Sequence, residues 1–207
     1  MKIIYGTTNE SKVQHMQDML GGLDIEIVGL SSIGRVNAKI DESGSSPLEN
    51  AAIKARAYFA ALKAPVFSCD TGLYIEGLTP PEQPGVYIRR VNGRELTDEE
   101  LLAHFSQLAK HFGGSVRAKY RNAICLIINE KNIYQYDGED IASEEFLIVS
   151  EPHPRLIPGF PLDSLSVQLS SGRYYLDLEQ KKGSTAAKSA QAAGFRNFFE
   201  RVLLGGR

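Results

Sequence analysis

Short apolar runs alternate with strongly capped helical stretches through the first half of this chain, and that alternation restricts its fold more than any other feature. Lys2-Ile3-Ile4-Tyr5 reads as a buried strand stopped by Gly6, and Thr7-Thr8-Asn9 supplies cap-type side chains for a helix running to Gly21-Gly22. Ile25 to Val28 reads as a second strand, followed by a polar loop from Ser31 to Ser45. Ser46 as N-cap, Pro47 at the first helical position and Glu49 closing a capping box then predict a helix whose body, Asn50 to Ala57, is rich in good helix formers. Pro65 to Cys69 is a further buried-strand pattern, expected to end at Asp70-Thr71-Gly72, with the sheet resuming from Leu73 to Leu78.

The second half changes character. A Pro/Gly loop from Thr79 to Gly93 leads to a second capping box, Thr97 with Glu100, and a helix to about Phe112, ended by Gly113-Gly114. Val116 to Ile128 predicts a long strand, and Asn132 to Val149 predicts its return as a hairpin with an irregular middle. Pro152, Pro154 and Pro158 mark a rigid loop; short strands are expected near Leu165–Leu169 and Tyr174–Leu178, and a final helix from about Ser184 to Leu204. Early alternation followed by a long antiparallel pair argues for an α/β fold with a mixed sheet.

At 207 residues the chain fits one domain or one compact two-lobed unit, large enough to fold without disulfides or a structural metal. Its two cysteines, Cys69 and Cys125, are far apart, which predicts reduced, buried thiols. The segment Met1 to Lys12 turns polar after Tyr5, so no secretory signal is expected, and no apolar run approaches the about 18 residues of a membrane span. A cytoplasmic protein with no membrane partner is the expectation. The formal net charge of −2 lacks the basic excess of a general nucleic-acid binder, and Arg117, Lys119 and Arg121 read better as a solvated sheet face than as a nucleic-acid strip.

Two segments are placed for chemistry, because loops at the carboxyl ends of strands are the usual ligand sites of open α/β sheets. In Thr7-Thr8-Asn9-Glu10-Ser11-Lys12, outward helical N–H groups and Lys12 would hold a phosphate; the same residues serve equally well to cap a surface helix. In Cys69-Asp70-Thr71-Gly72-Leu73, a carboxylate at the end of an apolar strand needs a cation, a donor or a reacting water, or simply caps a turn. Asp41 and Glu42 stand beside Gly44, and one or two carboxylates with substrate phosphates is the usual way proteins hold Mg²⁺. None of the common nucleotide-loop, serine-hydrolase or zinc-protease motifs occurs, and the four histidines do not cluster in sequence.

Taken in order, these segments resemble the inosine triphosphate pyrophosphatase family. Its T-x-N-x-x-K turn is matched by Thr7, Asn9 and Lys12, its E-x-G by Glu42-Ser43-Gly44, and its E-N-A-x-x-K-A by Glu49 to Ala55. Its D-S-G-L stands here as Asp70-Thr71-Gly72-Leu73, and its P-G-x-Y with a following Arg as Pro84 to Tyr87 and Arg90. The later G-F-G-[YW]-D-P appears as Gly159-Phe160-Pro161-Leu162-Asp163-Ser164, with Leu162 where the family carries an aromatic. The late Lys and S-H-R appear as Lys181-Lys182-Gly183-Ser184-Thr185-Ala186, without the His-Arg pair.

The resemblance implies that residues 1–207 form a single two-lobed domain: an elongated unit with a long mixed sheet and an active-site cleft between the lobes. It implies cleavage of a nucleoside triphosphate between its α and β phosphates, releasing pyrophosphate, with Mg²⁺ held by Glu42 and Asp70. Asp70 would also serve as catalytic base toward water. Thr7, Thr8, Asn9, Lys12, Lys54 and Thr71 would hold the phosphates with help from Arg90. Phe160 would stack on the base, and Leu162, Asp163, Lys181 and Lys182 would meet the rest of it. A homodimer is implied as well. Turnover of ITP, dITP or XTP, the same chemistry with a shifted base preference, and nucleotide binding without turnover all remain open at this point.

Overall fold

The computed structural model describes residues 1–34, 36–178 and 190–204. In chain order the elements are β1 (Lys2–Tyr5), α1 (Glu10–Leu20), β2 (Glu26–Gly29), α2 (Pro47–Leu62), β3 (Val66–Ile75), β4 (Arg90–Val91), β5 (Arg94–Glu95) and α3 (Asp98–His111). They continue as β6 (Ser115–Asn129), β7 (Asn132–Tyr136), β8 (Phe146–Val149), β9 (Ser166–Gln168), α4 (Tyr175–Leu178) and α5 (Ala190–Leu204). The α/β expectation holds: a seven-stranded mixed sheet has the order β2-β1-β3-β6-β8-β9, with β7 on β6. No helix among the described residues is long and apolar enough to cross a membrane.

The chain divides into two compact units. The first comprises the described residues of 1–71, 121–142 and 183–207. Here β1 pairs in parallel with both β2 and β3, and α1 and α2 supply the crossovers that parallel pairing requires. Asn9 caps α1 by accepting the Lys12 N–H at 3.2 Å, as its place after Gly6 predicts. Helix α2 ends when Lys63 turns left-handed at φ 50°, with Pro65 just beyond. Tyr5 stacks on Phe67 at 4.4 Å, Phe67 meets the edge of Phe199 from α5 at 5.3 Å, and Val13, Met16, Ile124 and Leu126 complete that core.

The second unit comprises the described residues of 72–120 and 143–182. Its antiparallel strands β6 and β8, with β9 paired on β8, pack Val116, Phe146 and Ile148 with Leu101, Phe105 and Ala109 of α3. Thr97 and Glu100 close the predicted capping box on α3, and Gly113 and Gly114, at φ 85° and 107°, end it.

The structure corrects several expectations. Strand β3 does not stop at Asp70 but runs unbroken from Val66 to Ile75. Its place beside β6 in the sheet holds it extended, and Leu73 adds a pairing on Gly85, its N–H and C=O bonded at 2.9 and 3.0 Å. Gln83 extends the pairing with its side-chain amide, accepting from Ile75 N–H and donating to Ile75 C=O, each at 2.8 Å. The Glu49 carboxylate reaches back to Ser45 N–H at 2.7 Å and Ser45 Oγ at 2.9 Å, one residue before Ser46, so the box is displaced onto the loop. The Thr79–Gly93 stretch contains a helical turn at Pro80–Glu82 and the first strand of the β4–β5 hairpin. Tyr174–Leu178 is no strand: Tyr175–Leu178 is a helical turn, fixed where Tyr174 Oη donates to Glu151 C=O and Asp177 meets His153.

Candidate active site

Parallel pairing of β1 with β3, with Ile4 opposite Val66 and Tyr5 opposite Phe67, brings the two candidate segments together although they lie far apart in sequence. The Gly6 N–H donates to Phe67 C=O at 2.7 Å, so the Thr7–Lys12 turn leaves the sheet beside Ser68, Cys69 and Asp70. Only glycine fits there, because a Cβ on Gly6 would run into Ser68 Oγ and the Tyr58 ring. Thr7 Oγ1 accepts the Asn9 N–H at 3.2 Å, so Thr7 and Asn9 shape the turn, while Thr8 and Lys12 are exposed.

Asp70 lies mid-strand on β3, not at a strand end, and its partner comes from α2. Lys54 Nζ donates to Asp70 Oδ1 at 2.7 Å and to Glu42 Oε2 at 3.4 Å. The side chains of Lys54 and Asp70 are 13% and 16% exposed, against 54% for Glu42, so the pair is sheltered and Glu42 faces outward. One ammonium thus joins the two proposed metal ligands. Asn50, which shows no functional signal in the sequence, holds the loop that carries Glu42. It is buried, and its Oδ1 accepts the Gly44 N–H at 2.9 Å. A Cβ on Gly44 would stand 2.7 Å from that oxygen and 2.8 Å from Glu49 Cβ, so glycine is required by close approach.

The electrostatics of Cys69 report the same convergence. Burial pushes its thiol up to about 12, opposed by the Tyr5 hydroxyl and by the charges of Lys12 and Lys54, while Asp70 acts in the raising direction. Tyr5 is raised, chiefly by burial, with Cys69 and Asp70 adding to the shift. Tyr58, one turn beyond Lys54, is raised by burial and feels both Lys54 and Glu42. Thr71 Oγ1 donates to Asn122 Oδ1 at 2.7 Å, and Asn122 Nδ2 donates to Ile141 C=O at 2.8 Å, so β6 and its return segment orient the residue after Asp70. Asn122 carried no sequence signal of its own.

The remaining candidates lie in the second unit or outside the described residues. Arg90 is exposed, its guanidinium 5.0 Å from the Tyr87 ring centroid. Phe160 is 56% exposed, whereas Leu162 is buried in the core with Leu165 and Phe146. Asp163 N–H donates to Phe160 C=O at 3.1 Å, and its charge helps raise Tyr120, which burial raises most. Arg117 pairs with Glu76 and Glu145, at 3.9 and 3.7 Å, and Arg121 with Glu139 at 3.9 Å, so acidic neighbours offset both arginines of the basic strip. Lys181 and Lys182 lie outside the described residues.

The donor set suits a hard divalent ion. Glu42 and Asp70 present carboxylate oxygens to a common cation, and no group of three or more His, Cys, Asp or Glu side chains among the described residues forms a protein-only cage. Oxygen donors of this kind suit a hard divalent ion that takes its remaining ligands from water or a bound phosphate.

The Ham1 family model matches residues 3–143. The chain is 31% identical over 193 residues to the dITP/XTP pyrophosphatase of Coxiella burnetii (strain RSA 493), covering 93% of this chain and 92% of that protein. It is 27% identical over 192 residues to the dITP/XTP pyrophosphatase of Thermoanaerobacter sp. (strain X514), with the same coverage. Among solved structures, a HAM1 protein from Coxiella burnetii superposes with TM-score 0.70 at 26% identity over the whole of both chains. The Staphylococcus aureus Ham1 protein, at TM-score 0.68 and 20% identity over the whole of both chains, shares the fold.

Proposed function

This chain belongs to the Ham1 family, and from that premise we propose a nucleoside triphosphate pyrophosphatase acting on deaminated purine nucleotides such as ITP, dITP or XTP. Water attacks at phosphorus, the anhydride between the α and β phosphates breaks, and the products are nucleoside monophosphate and pyrophosphate. The observation that carries the reading is the Lys54 bridge: a sheltered ammonium holding Glu42 and Asp70 together at the mouth of the Thr7–Lys12 turn.

Such a reaction needs alignment and charge neutralisation more than covalent help. Mg²⁺ on Glu42 and Asp70 is the proposed cofactor; when bound it offsets charge on the phosphate oxygens. Asp70 orients the attacking water and accepts its proton, as a carboxylate beside reacting oxygens does. Lys12 and Lys54 offset the charge of the triphosphate, and the N–H groups and hydroxyls around Thr7, Thr8, Asn9 and Thr71 hold its oxygens. Arg90 assists the phosphates. Phe160 stacks on the base, and the family resemblance assigns its polar edge to Asp163, Lys181 and Lys182. Family resemblance supports a cytoplasmic homodimer working as a single two-lobed domain, without nucleic-acid or membrane partners.

The same chemistry with a shifted base preference is the second reading. It is favoured by Leu162, which is 7% exposed and packs into the core where the family's aromatic would serve the base. Pyrophosphate release with Mg²⁺ from ITP, XTP, dITP, ATP, GTP, UTP and dTTP separates the two, with Asp70→Asn as the inactive control. Selective turnover of ITP, dITP and XTP is expected. Selective turnover of another triphosphate supports the shifted preference, and release from none of them leaves a nucleotide-binding protein.

A further inference from the structure

We infer that Arg89 and Asp98 are positioning residues for Phe160 and so help set how tightly the purine is held, an inference that rests on Phe160 being the ring that stacks on the base. Asp98 is the first residue of α3. Its Oδ2 accepts the Gly159 N–H at 2.6 Å, and its Oδ1 accepts Arg89 Nη2 at 2.7 Å. The same Nη2 donates to Gly159 C=O at 2.9 Å. One ion pair therefore grips both polar groups of the residue immediately before Phe160.

The rest of the turn agrees. Gly159 is left-handed at φ 81° with nothing within 4 Å of a built Cβ, so conformation and not crowding calls for glycine there. Phe160 N–H donates to Ile157 C=O at 2.9 Å, and Phe160 C=O accepts from Asp163. The backbone beneath the ring is thus fixed on both sides while the ring stays open to solvent. A stacking surface set before its ligand arrives gives up less side-chain and loop freedom on binding. Arginine suits the task, because its planar fork meets a carboxylate and a carbonyl together, which a lysine ammonium does less well. The neighbouring Arg90 sits over Tyr87 instead, so the two arginines are not equivalent.

The test is KM and kcat for ITP in Arg89→Ala, Arg89→Lys, Asp98→Ala, Phe160→Ala and the Arg89→Ala/Phe160→Ala double variant, with inhibition by tripolyphosphate, which has no base. Phe160→Ala is expected to raise KM about tenfold, in the range of one lost base–aromatic stack. Arg89→Ala and Asp98→Ala are expected to raise it about three- to tenfold with kcat within about twofold. Arg89→Lys restores part of the loss, and the double variant is no worse than Phe160→Ala, because the clamp acts through that ring. Tripolyphosphate inhibition stays within about twofold of wild type throughout. Raised KM in Phe160→Ala with wild-type KM in both clamp variants overturns the positioning role alone, as does an additive double variant. Wild-type KM in Phe160→Ala overturns the stacking reading itself. Arg89→Ala keeps the Asp98 carboxylate on the first turn of α3, so it remains informative if Asp98→Ala fails to fold.

Discussion

Lys54 reaches Asp70 across from helix to strand, Nζ to Oδ1 at 2.7 Å, and both side chains are largely withdrawn from solvent. The bond ties the fourth residue after Asn50 on α2 to the middle of β3, and through Glu42 it reaches the loop between β2 and α2. Substitutions at either end therefore separate chemistry from architecture.

Asp70→Asn keeps a hydrogen-bond acceptor for Lys54 but removes the charge and the base. Pyrophosphate release should fall at least about 100-fold, the usual scale for a lost general base, while the far-UV dichroism stays unchanged. Lys54→Met leaves a sheltered carboxylate unpaired and should cost about 1–3 kcal/mol in urea unfolding, below the figure for a fully buried pair because some solvent reaches both groups. Near-wild-type turnover in Asp70→Asn would refute its role as base.

Gly44→Ala tests the seat of Glu42. The added methyl meets Asn50 Oδ1 and Glu49 Cβ below ordinary contact distance, so the loop has to move. Mn²⁺ binding followed by electron paramagnetic resonance without nucleotide should weaken about tenfold or more, if misplacing one of two carboxylates forfeits a charge-assisted contact. Asn50→Asp, which keeps an acceptor for the Gly44 N–H, should lose less than Asn50→Ala. Equal Mn²⁺ affinity in Gly44→Ala and wild type would show that Glu42 does not depend on this seat.

The carboxylates that hold turns and caps give a pH dependence of definite sign. Gly159 N–H, then Arg89, keeps Asp98 below its usual range; Thr97 N–H, then Arg94, does so for Glu100; Ser45 does so for Glu49 and Thr79 for Glu82. A depressed folded-state value contributes stability that is present above the unfolded carboxylate range and lost as pH falls through the folded one. Thermal midpoints should be flat down to about pH 5 and decline below about pH 4. Glu100→Gln should show a shallower decline; the same slope as wild type would remove Glu100 from the account.

Burial raises the Cys69 thiol to about 12 and the Cys125 thiol to about 11. Neither forms a disulfide. At pH 8 both are protonated and poor nucleophiles. A thiol reagent should react slowly with the native protein and then titrate two groups in urea. Cys125 is fully buried and Cys69 only partly so, so one fast equivalent per native chain would point to Cys69 and contradict its raised thiol.

The local signals proved most legible. Asn9, Ser46 and Thr97 mark their helices because a cap is chemistry among near neighbours. The course of β3 through Asp70, Thr71 and Gly72 was hidden, because those residues read as a turn, and pairing with β6 together with Gly85, Gln83 and Asn122, remote or seemingly idle in sequence, keeps the strand extended and its side chains oriented. Asn50 stands in the Glu49–Ala55 run without a visible role, since its partner is a backbone N–H that only folding brings near. The Tyr174–Leu178 stretch suits a strand as well as a helical turn, and the contacts to Glu151 and His153 decide it.

The fastening of Glu42 has a consequence for how this sequence can change over generations. Gly44 is tied to Asn50 and Ser45 to Glu49, so the run from Glu42 to Asn50 works as one cassette whose spacing is counted in single residues. An insertion inside it would shift the carboxylate relative to Lys54, whereas extra residues between Asn37 and Asp41 would leave that cassette intact. Divergent descendants should therefore vary in length ahead of Glu42 and hold their length after it.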